Sequence, residues 1–340
     1  MKNMVRLFKG LLFRDRPLYV HYGITHRCNL HCRMCNIYED VDEDGELSLS
    51  QIEKVFDILK RLGVIYVSIG GGEPFLRDDL PAVIKLLREK GFMVRLLTNG
   101  TLVDKELIND LASAGLREIS ISLDTLESRK FAYICNCQDA WGKVMQSIEL
   151  FSSILPKRQR LLLINTVVSP LNIKELPQLC RFAERKDYYI SFVPIEADGN
   201  SEFSFVKEDY KCIDESYNYL IEMKKKGKSY IFNSSLFLEK SRQYLKTEKR
   251  NWQCDAGKLY LSINPQGEVS ICHKFNPETA FLNTDAEVFF KSGAFQNRRK
   301  ALTAGCVGCM RPCWAEVSFL FRNRKSFLEM AKIKLSGISC

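Results

Sequence analysis

Short apolar runs alternate with amphipathic stretches through about the first two hundred residues of the chain. The apolar runs have the length and composition of buried strands, and the amphipathic stretches have the spacing of helices with one apolar face. The predicted strands are 18–25, 64–69, 92–97, 116–123, 161–168 and 188–195. The helices predicted between them are 50–63, 79–90, 104–114, 139–155 and 173–186. This alternation predicts an α/β fold with a parallel sheet, either open or curled into a partial barrel.

The alternation ends near residue 205, and the remaining chain has other patterns. A polar stretch with a Lys-rich patch at 224–228 predicts a connecting region. Beyond it, "LYLSI" and "EVSI" predict two strands joined by an "NPQG" turn, and apolar residues at helical spacing predict a helix over about 315–336. The predicted parts are an N-terminal extension, a core, a connecting region, a cysteine-rich domain and a C-terminal helix with its tail, at 1–17, 18–205, 206–250, 251–315 and 316–340.

Composition is that of a globular protein, with 46% apolar and 27% charged residues in 340. No apolar run approaches the roughly 18 residues of a membrane span, and the N-terminus lacks the features of a signal peptide. We therefore expect a cytoplasmic protein. In that reducing compartment, thirteen cysteines at clustered spacings favour metal ligands over disulfides.

The net charge of +9 is concentrated at the two ends of the chain. A groove for nucleic acid would normally run through the fold, so we expect no nucleic-acid partner. The stretch "MVRLFKGLLF" (4–13) has apolar residues on one side and basic residues away from it. With the basic tail it predicts a peripheral membrane contact. A helix that caps the barrel, or charge that serves solubility alone, are the alternatives.

Chemically distinctive residues follow four consecutive predicted strands. Three cysteines follow the first strand, "GGGEP" (70–74) the second and "TNG" (98–100) the third, and "SLD" (122–124) closes the fourth. In parallel α/β folds the carboxyl ends of the strands meet at one edge, where active sites lie. The sequence therefore predicts one site built from all four segments.

Cys28, Cys32 and Cys35 have the spacing C-x3-C-x2-C, which lets one loop present three thiolates. Iron–sulfur clusters are held by such thiolates, usually four of them, so three would leave one iron open. A zinc site completed by His26 or His31 is the alternative.

The three cysteines and the "GGEP" motif together resemble the radical SAM superfamily over about residues 18–200. The resemblance implies a partial (β/α)6 TIM-like barrel and a 4Fe-4S cluster on the three cysteines, with S-adenosylmethionine on the open iron. It also implies an electron donor such as flavodoxin or ferredoxin, and a 5′-deoxyadenosyl radical that takes a hydrogen atom from substrate. The residues implied to contact S-adenosylmethionine are Met34, Gly71, Gly72, Glu73, Asn99, Ser122 and Asp124.

Within that set, Gly71, Gly72 and Glu73 match the motif that engages the methionyl amino group, and Ser122 and Asp124 resemble the polar pair that contacts ribose. Two positions depart from the family pattern. A methionine stands at position 34, where an aromatic residue is frequent, and a glycine replaces the threonine that commonly precedes "GGEP".

A second group of cysteines lies in the C-terminal part of the chain, at Cys254, Cys272, Cys306, Cys309 and Cys313. It resembles the SPASM and twitch domains that carry auxiliary clusters in radical SAM enzymes. Five cysteines suit the shorter twitch form, which implies a second 4Fe-4S cluster on Cys254, Cys272, Cys306 and Cys309, with Cys313 as spare or substitute. A zinc ribbon formed by the same residues is the alternative.

The remaining cysteines have simpler interpretations. Cys135 and Cys137 are predicted to be loop thiols, with contact of one of them to substrate or cluster as the alternative. Cys180 and Cys212 are predicted to pack helices, and Cys340 to belong to the tail. Asn165, Thr166 and Glu196 are candidates for substrate contact, with a structural role at the barrel end as the alternative.

The expected function is radical SAM chemistry on a small molecule, in which the auxiliary cluster assists oxidation or binding. A peptide-modifying maturase is the first alternative. The chain begins close to the first strand, which leaves little room for a preceding peptide-recognition domain and lowers that expectation. The second alternative is a non-catalytic iron–sulfur or zinc protein, in which the "GGEP" and "SLD" motifs would have no use.

Overall fold

The computed structural model describes residues 16–35, 37, 45–196, 201–227, 230–283 and 285–336. The amphipathic stretch at 4–13, most of the predicted N-terminal extension and Cys340 lie outside the described residues. No helix within these ranges is both long and apolar enough to cross a membrane.

The six predicted core strands are all present. They are β1 Tyr19–Thr25, β2 Tyr66–Gly71, β3 Met93–Thr98, β4 Glu118–Ser122, β5 Leu161–Val168 and β6 Tyr189–Pro194. All neighbours among them pair in parallel. The strands formed because continuous apolar, β-branched runs suit a sheet that is covered on both faces.

Among the described residues, six helices connect and cover these strands. They are α1 Leu49–Leu62, α2 Leu80–Glu89, α3 Lys105–Ser113, α4 Ser128–Cys135, α5 Ala140–Ile154 and α6 Leu176–Arg185. The first begins with a capping box between Ser48 and Gln51 and ends at Gly63, which adopts φ of 100°. Five of the six match a predicted helix, and α4 was not predicted.

The chain after β6 is more helical than its polar composition indicates. Two helices, α7 Tyr210–Lys225 and α8 Ser235–Thr247, fill the predicted connecting region and pack on each other. Buried Ile213, Tyr217 and Leu220 line one face of α7 at helical spacing. The domain boundaries stay a prediction.

The cysteine-rich segment extends the sheet of the core. The predicted hairpin forms as β7 Tyr260–Ile263 and β8 Glu268–Ser270, followed by β9 Thr279–Ala280. Because β7 pairs in parallel with β1, the order of the described strands is β6-β5-β4-β3-β2-β1-β7-β8-β9 in one sheet. The sheet does not close on itself, as predicted for a partial barrel.

The last helices are α9 Ala286–Lys291, α10 Gly293–Gly305, α11 Pro312–Arg322 and α12 Arg324–Ser336. The single C-terminal helix that we predicted is divided into α11 and α12 at Asn323. This residue is extended, and its side chain accepts the N–H of Ser326 at 2.9 Å, which starts a new helix. Helix α12 packs Met330 and Ile333 against Leu161 and Leu163 of β5, so the predicted docking of this region on the body is confirmed.

Candidate functional site

The three-cysteine loop lies directly beyond the carboxyl end of β1. Cys28, Cys32 and Cys35 are each partly buried, and the N–H of Cys35 donates to the carbonyl of Cys32 at 3.0 Å. Burial raises the pKa of Cys32 strongly, and the neighbouring charges of Cys35, Asp124, Cys135 and Cys28 raise it further. Cys32 therefore lies close to the other two cysteines of the loop, and bound cations would favour its thiolate.

The donor set fits an iron–sulfur cluster, because three thiols on one short loop are the ligands such clusters take. In the described residues no three Cys, His, Asp or Glu side chains converge on a point that would suit one metal ion.

Helix α4 holds the loop in place. Arg33 donates its backbone N–H to the carbonyl of Ile134 at 2.9 Å and its Nε to the carbonyl of Tyr133 at 3.0 Å. Its guanidinium also lies 4.1 Å from the centre of the Tyr133 ring. These carbonyls belong to the last turn of the helix, where basic groups are favoured.

The prediction that Cys135 is a loop thiol is wrong, because Cys135 is the last residue of α4 and is buried. Helix α4 ends at Asn136, which adopts φ of 53°, and Cys137 follows it outside the helix. The eight-residue helix is too short for its apolar pattern to stand out in the sequence. Cys180 packs in α6 as predicted.

The "GGEP" segment is built against the cysteine loop. The N–H of Gly72 donates to the carbonyl of Thr25, and that of Glu73 to the carbonyl of Arg27, both at 2.8 Å. A Cβ on Gly71 would overlap Thr25, and one on Gly72 would overlap Arg27, each well inside 3.0 Å. In this structure the glycines are thus required for close contact between two backbone segments.

Glu73 joins the ends of two strands. Its buried carboxylate accepts Oγ1 of Thr98 at 2.8 Å and the N–H groups of Asn99 at 2.7 Å and Phe75 at 3.2 Å. Burial raises the pKa of this carboxyl to about 7, although these hydrogen bonds lower it. The side-chain amide of Asn99 donates from Nδ2 to Oδ1 of Asn29 at 2.9 Å, so the "TNG" motif connects β3 to the cysteine loop.

Ser122 and Asp124 have different environments. Ser122 is the last residue of β4 and is exposed, whereas Asp124 lies beyond the strand and is buried. Oδ1 of Asp124 accepts the N–H of Val167 at 2.7 Å, and burial raises the pKa of Asp124 to about 7. Met34, within the cysteine loop, is partly buried and packs against the hydrophobic core.

The two candidates for substrate contact on β5 also have different environments. Asn165 is opposite Ser122 in the sheet and is partly buried. Thr166 is fully buried and donates to the carbonyl of Leu123 at 2.7 Å, which is a packing role.

Four of the five C-terminal cysteines line one cavity. These four are Cys254, Cys272, Cys306 and Cys309. Cys254 precedes the β7–β8 hairpin and Cys272 follows it, so the hairpin brings both to the same end, as predicted. Cys313 does not line the cavity. Burial raises the pKa of Cys313, although nearby Arg311 lowers it. Four thiols around one cavity fit a second cluster.

Glu196 connects the end of β6 to this second cysteine group. Its buried carboxylate lies 2.6 Å from Nζ of Lys274 and 2.8 Å from Nε of Arg311. Burial alone would raise the pKa of Glu196, but the two basic side chains outweigh it and lower the pKa. Lys274 is two residues beyond Cys272, and Arg311 lies between Cys309 and Cys313. No local pattern in the sequence indicates this three-residue link.

Comparison with known proteins identifies the core. Residues 22–183 match the model of the Radical SAM superfamily. A probable GTP 3′,8-cyclase of Pyrococcus abyssi is 30% identical over 189 residues, which are 55% of this chain and 60% of that protein. The PqqA peptide cyclase of Bradyrhizobium diazoefficiens is 31% identical over 169 residues, which are 49% of this chain and 43% of that protein. The chain thus spans about half of the length of these two relatives.

Other matches cover most of the chain. The mycofactocin maturase MftC of Mycobacterium tuberculosis is 25% identical over 305 residues, 86% of this chain and 75% of that protein. The structure of Streptococcus suis SuiB bound to precursor peptide SuiA aligns with a TM-score of 0.65 at 16% identity, over 88% of this chain and 72% of that one. The structure of anSMEcpe with bound AdoMet and Cp18Cys peptide aligns with a TM-score of 0.63 at 16% identity, over 94% of this chain and 96% of that one. These structures share the fold, and the core of this chain, residues 22–183, belongs to the radical SAM superfamily.

Proposed function

We propose that the protein is a radical SAM enzyme in which Cys28, Cys32 and Cys35 hold the catalytic cluster. The observation that carries this proposal is the joining of the ends of β1, β2 and β3 into one unit through Glu73 and Asn99. When bound and reduced, a four-iron cluster with S-adenosylmethionine supplies a 5′-deoxyadenosyl radical that removes a hydrogen atom from substrate.

The residues of the chain would bind and orient S-adenosylmethionine rather than take part in its cleavage. Ser122 is exposed at the end of β4 and is free to contact ribose, with Asp124 beside it. Glu73 already accepts three hydrogen bonds, so it has one of about four acceptor positions left for the methionyl amino group. Gly71 and Gly72 would keep the strand end close to the cysteine loop, and Met34 would provide an apolar contact.

We assign a second, auxiliary cluster to Cys254, Cys272, Cys306 and Cys309, because these four thiols line the C-terminal cavity. Cys313 is then a free thiol outside the ligand set. The link through Glu196 supports a shared task for the two sites, since it joins the end of β6 to the segments that carry Cys272 and Cys309.

We propose a peptide as the first candidate substrate. Two structures that share the fold over 88% and 94% of this chain contain bound peptides, and one relative of the core is a peptide cyclase. A small molecule is the second candidate, supported by the match of the core to a GTP 3′,8-cyclase.

The assignment of two clusters is tested by anaerobic reconstitution, an iron count and a search for 5′-deoxyadenosine after reduction with S-adenosylmethionine. We expect about eight irons per chain, for two cubane clusters. Cys32→Ala should bind about four irons and form no 5′-deoxyadenosine. Cys272→Ala should also bind about four irons but still cleave S-adenosylmethionine.

The matched control is Cys180→Ala, which removes a buried thiol from α6 and should leave both readouts unchanged. If the fully loaded protein forms no 5′-deoxyadenosine, the proposed enzyme class is wrong. If Cys272→Ala keeps the wild-type iron content, the auxiliary cluster is wrong.

The substrate class is tested by deuterium transfer into 5′-deoxyadenosine from size-separated fractions of a fully deuterated cell extract. A peptide substrate predicts transfer from a fraction that loses its activity on protease digestion. Transfer that survives protease digestion and resides in the smallest fraction would replace the peptide with a small molecule.

A further inference from the structure

A tyrosine hydroxyl contacts one of the proposed auxiliary ligands. The hydroxyl of Tyr260 lies 3.0 Å from Sγ of Cys254, within hydrogen-bonding distance for sulfur. Tyr260 is the first residue of β7, its side chain is fully buried, and it lines the same cavity as the four cysteines. The contact is therefore a feature of the cluster site itself.

The tyrosine ring is held rigidly. It stacks on the buried ring of Trp314, with centroids 4.6 Å apart and an interplanar angle of 24°. Trp314 is fixed in turn, since its Nε1 donates to Nδ1 of His273 at 3.2 Å and its ring meets that of Tyr19 edge-on. A ring packed in this way keeps its hydroxyl aimed at Cys254.

The direction of the hydrogen bond follows from the chemistry of the two groups. A tyrosine hydroxyl both donates and accepts, but a metal-bound cysteine has lost its proton and only accepts. Tyr260 must then donate to the thiolate. A hydrogen bond to a ligand sulfur withdraws electron density from a cluster and favours its reduced form, which carries more negative charge.

We propose that Tyr260 tunes the auxiliary cluster by donating a hydrogen bond to Cys254, making its reduction potential more positive than four cysteines alone would give. This inference rests on the proposed function, in which Cys254 is a ligand of that cluster. Tyr260 is a positioning and tuning residue, because it acts on the cluster through Cys254.

The test is Tyr260→Phe in the reconstituted protein with both clusters, followed by a redox titration monitored by electron paramagnetic resonance. The variant keeps the ring that stacks on Trp314 and loses only the hydroxyl. We expect the midpoint potential of the auxiliary cluster to become more negative, with that of the first cluster and the iron content unchanged. A variant that retains its iron and shows no shift overturns the inference.

The matched control is Tyr188→Phe, which removes another buried, hydrogen-bonded hydroxyl, here bound to the carbonyl of Ile148 at 2.8 Å. It should shift neither potential. If Tyr260→Phe does not fold, 3-fluorotyrosine incorporated at position 260 tests the same point, because fluorination strengthens the phenol as a donor. The auxiliary potential should then become more positive, and an unchanged potential overturns the inference.

The two proposals fail in different ways. If the wild-type protein binds about four irons and removal of Cys254 does not change that number, the auxiliary cluster itself is wrong. If the wild type binds two clusters and neither change at position 260 moves the potential of the second, only the role of Tyr260 is wrong.

Discussion

Because Gly72 has no side chain, the cysteine loop and the end of β2 can contact each other through their backbones. Gly72 donates its N–H to Thr25 while its α-carbon faces the backbone of Arg27, where no Cβ would fit. Backbone atoms on both sides of this contact belong to hydrogen-bonded segments and have little freedom to move apart. A substitution here should therefore disturb the loop that carries Cys28 as well as overall stability.

We predict that Gly72→Ala destabilises the cluster-free protein by about 1–3 kcal/mol or more, the usual cost of overpacking. It should also reduce the iron bound at the first site. The measurements are chemical denaturation and an iron count after reconstitution. The control is Gly142→Ala in α5, where a Cβ meets nothing within 4 Å. That change should stabilise the protein by up to about 1 kcal/mol, and equal effects of the two alanines would contradict the argument.

Glu316 of α11 makes the stability depend on pH. Its buried carboxylate accepts the N–H of Ser234 at 2.7 Å, and burial raises its pKa from 4.5 to about 7. A raised pKa means that the folded state holds the proton more tightly than the unfolded state. The resulting stabilisation is complete below about pH 4.5 and is lost as the pH rises through 7, by on the order of 3 kcal/mol.

We predict that Glu316→Gln makes the dependence of unfolding free energy on pH between 5 and 8 less steep, while buried Glu73 and Asp124 maintain the rest of it. Denaturation of the cluster-free, reduced protein measures this. The control is Glu239→Gln, which changes an exposed carboxylate on α8 and should leave that dependence as in the wild type. If Glu316→Gln keeps the wild-type slope, burial of this carboxyl does not control it.

Helix α12 contacts the amino end of the sheet through an ion pair between Lys334 and Glu118. Nζ of Lys334 lies 2.5 Å from Glu118 of β4, which also accepts the hydroxyl of Tyr66 at 2.5 Å and Arg95 at 3.3 Å. Burial alone would raise the pKa of Glu118, but Lys334 and Arg95 lower it to about 2. The helix thus supplies one of two cations that keep a buried carboxylate ionised.

We predict that Lys334→Met destabilises the protein by about 1–3 kcal/mol, less than the 3–5 kcal/mol for loss of a sole partner, because Arg95 remains. Combining it with Glu118→Gln should cost less than the sum of the two single changes. Denaturation of the four proteins in this cycle measures the coupling. Lys332→Met, at an exposed position of the same helix, should have little effect, and purely additive energies would exclude a coupled pair.

Elements with strong periodicity were predictable from the sequence. All six core strands and the β7–β8 hairpin formed where apolar runs are bounded by turn residues. Helix α4 was missed because it is short, and the break at Asn323 was missed because apolar spacing continues across it. The apolar face of α7 is present in the sequence, but its many polar residues conceal it.

The sequence motifs predicted which segments form the site, but not the contacts between those segments. The sheet edge that gathers the four motifs follows from parallel topology. Two of the three partners of Glu73, Thr98 and Asn99, lie at the end of β3. The partners of Glu196 lie in the C-terminal segment, so both sets of contacts depend on how distant parts of the chain fold together. Local sequence carries no signal for such contacts, and the contact of Tyr260 with Cys254 likewise needs the folded hairpin.

At the scale of the whole molecule, one hydrophobic core runs from β1 through the cysteine-rich segment to α11. The sheet is continuous across β1 and β7, so the two cysteine groups are attached to the same rigid element. On the far side of the barrel, the end of β6 is connected to the cysteine-rich segment by the ion pairs of Glu196. Loss of Glu196 would leave Lys274 and Arg311 without this shared counter-charge next to the proposed auxiliary ligands.

We predict that Glu196→Ala lowers the iron bound at the auxiliary site and leaves the first site occupied. Mutual repulsion of the two basic side chains should loosen the segments that carry Cys272 and Cys309. Hydrogen exchange in residues 270–275 and 306–314 should then rise, whereas exchange in residues 25–35 should not. The iron count and exchange mass spectrometry measure these effects independently of activity.

The control for this prediction is Glu149→Ala, which removes an exposed carboxylate that pairs with Lys186 on the surface. Surface ion pairs contribute about 0–1 kcal/mol, so this variant should retain both clusters and wild-type exchange. If Glu196→Ala behaves like the control, sheet continuity through β1 and β7 is sufficient to fix the auxiliary segment. If it loses iron from both sites, the two ends of the barrel depend on each other more strongly than the continuous sheet alone implies.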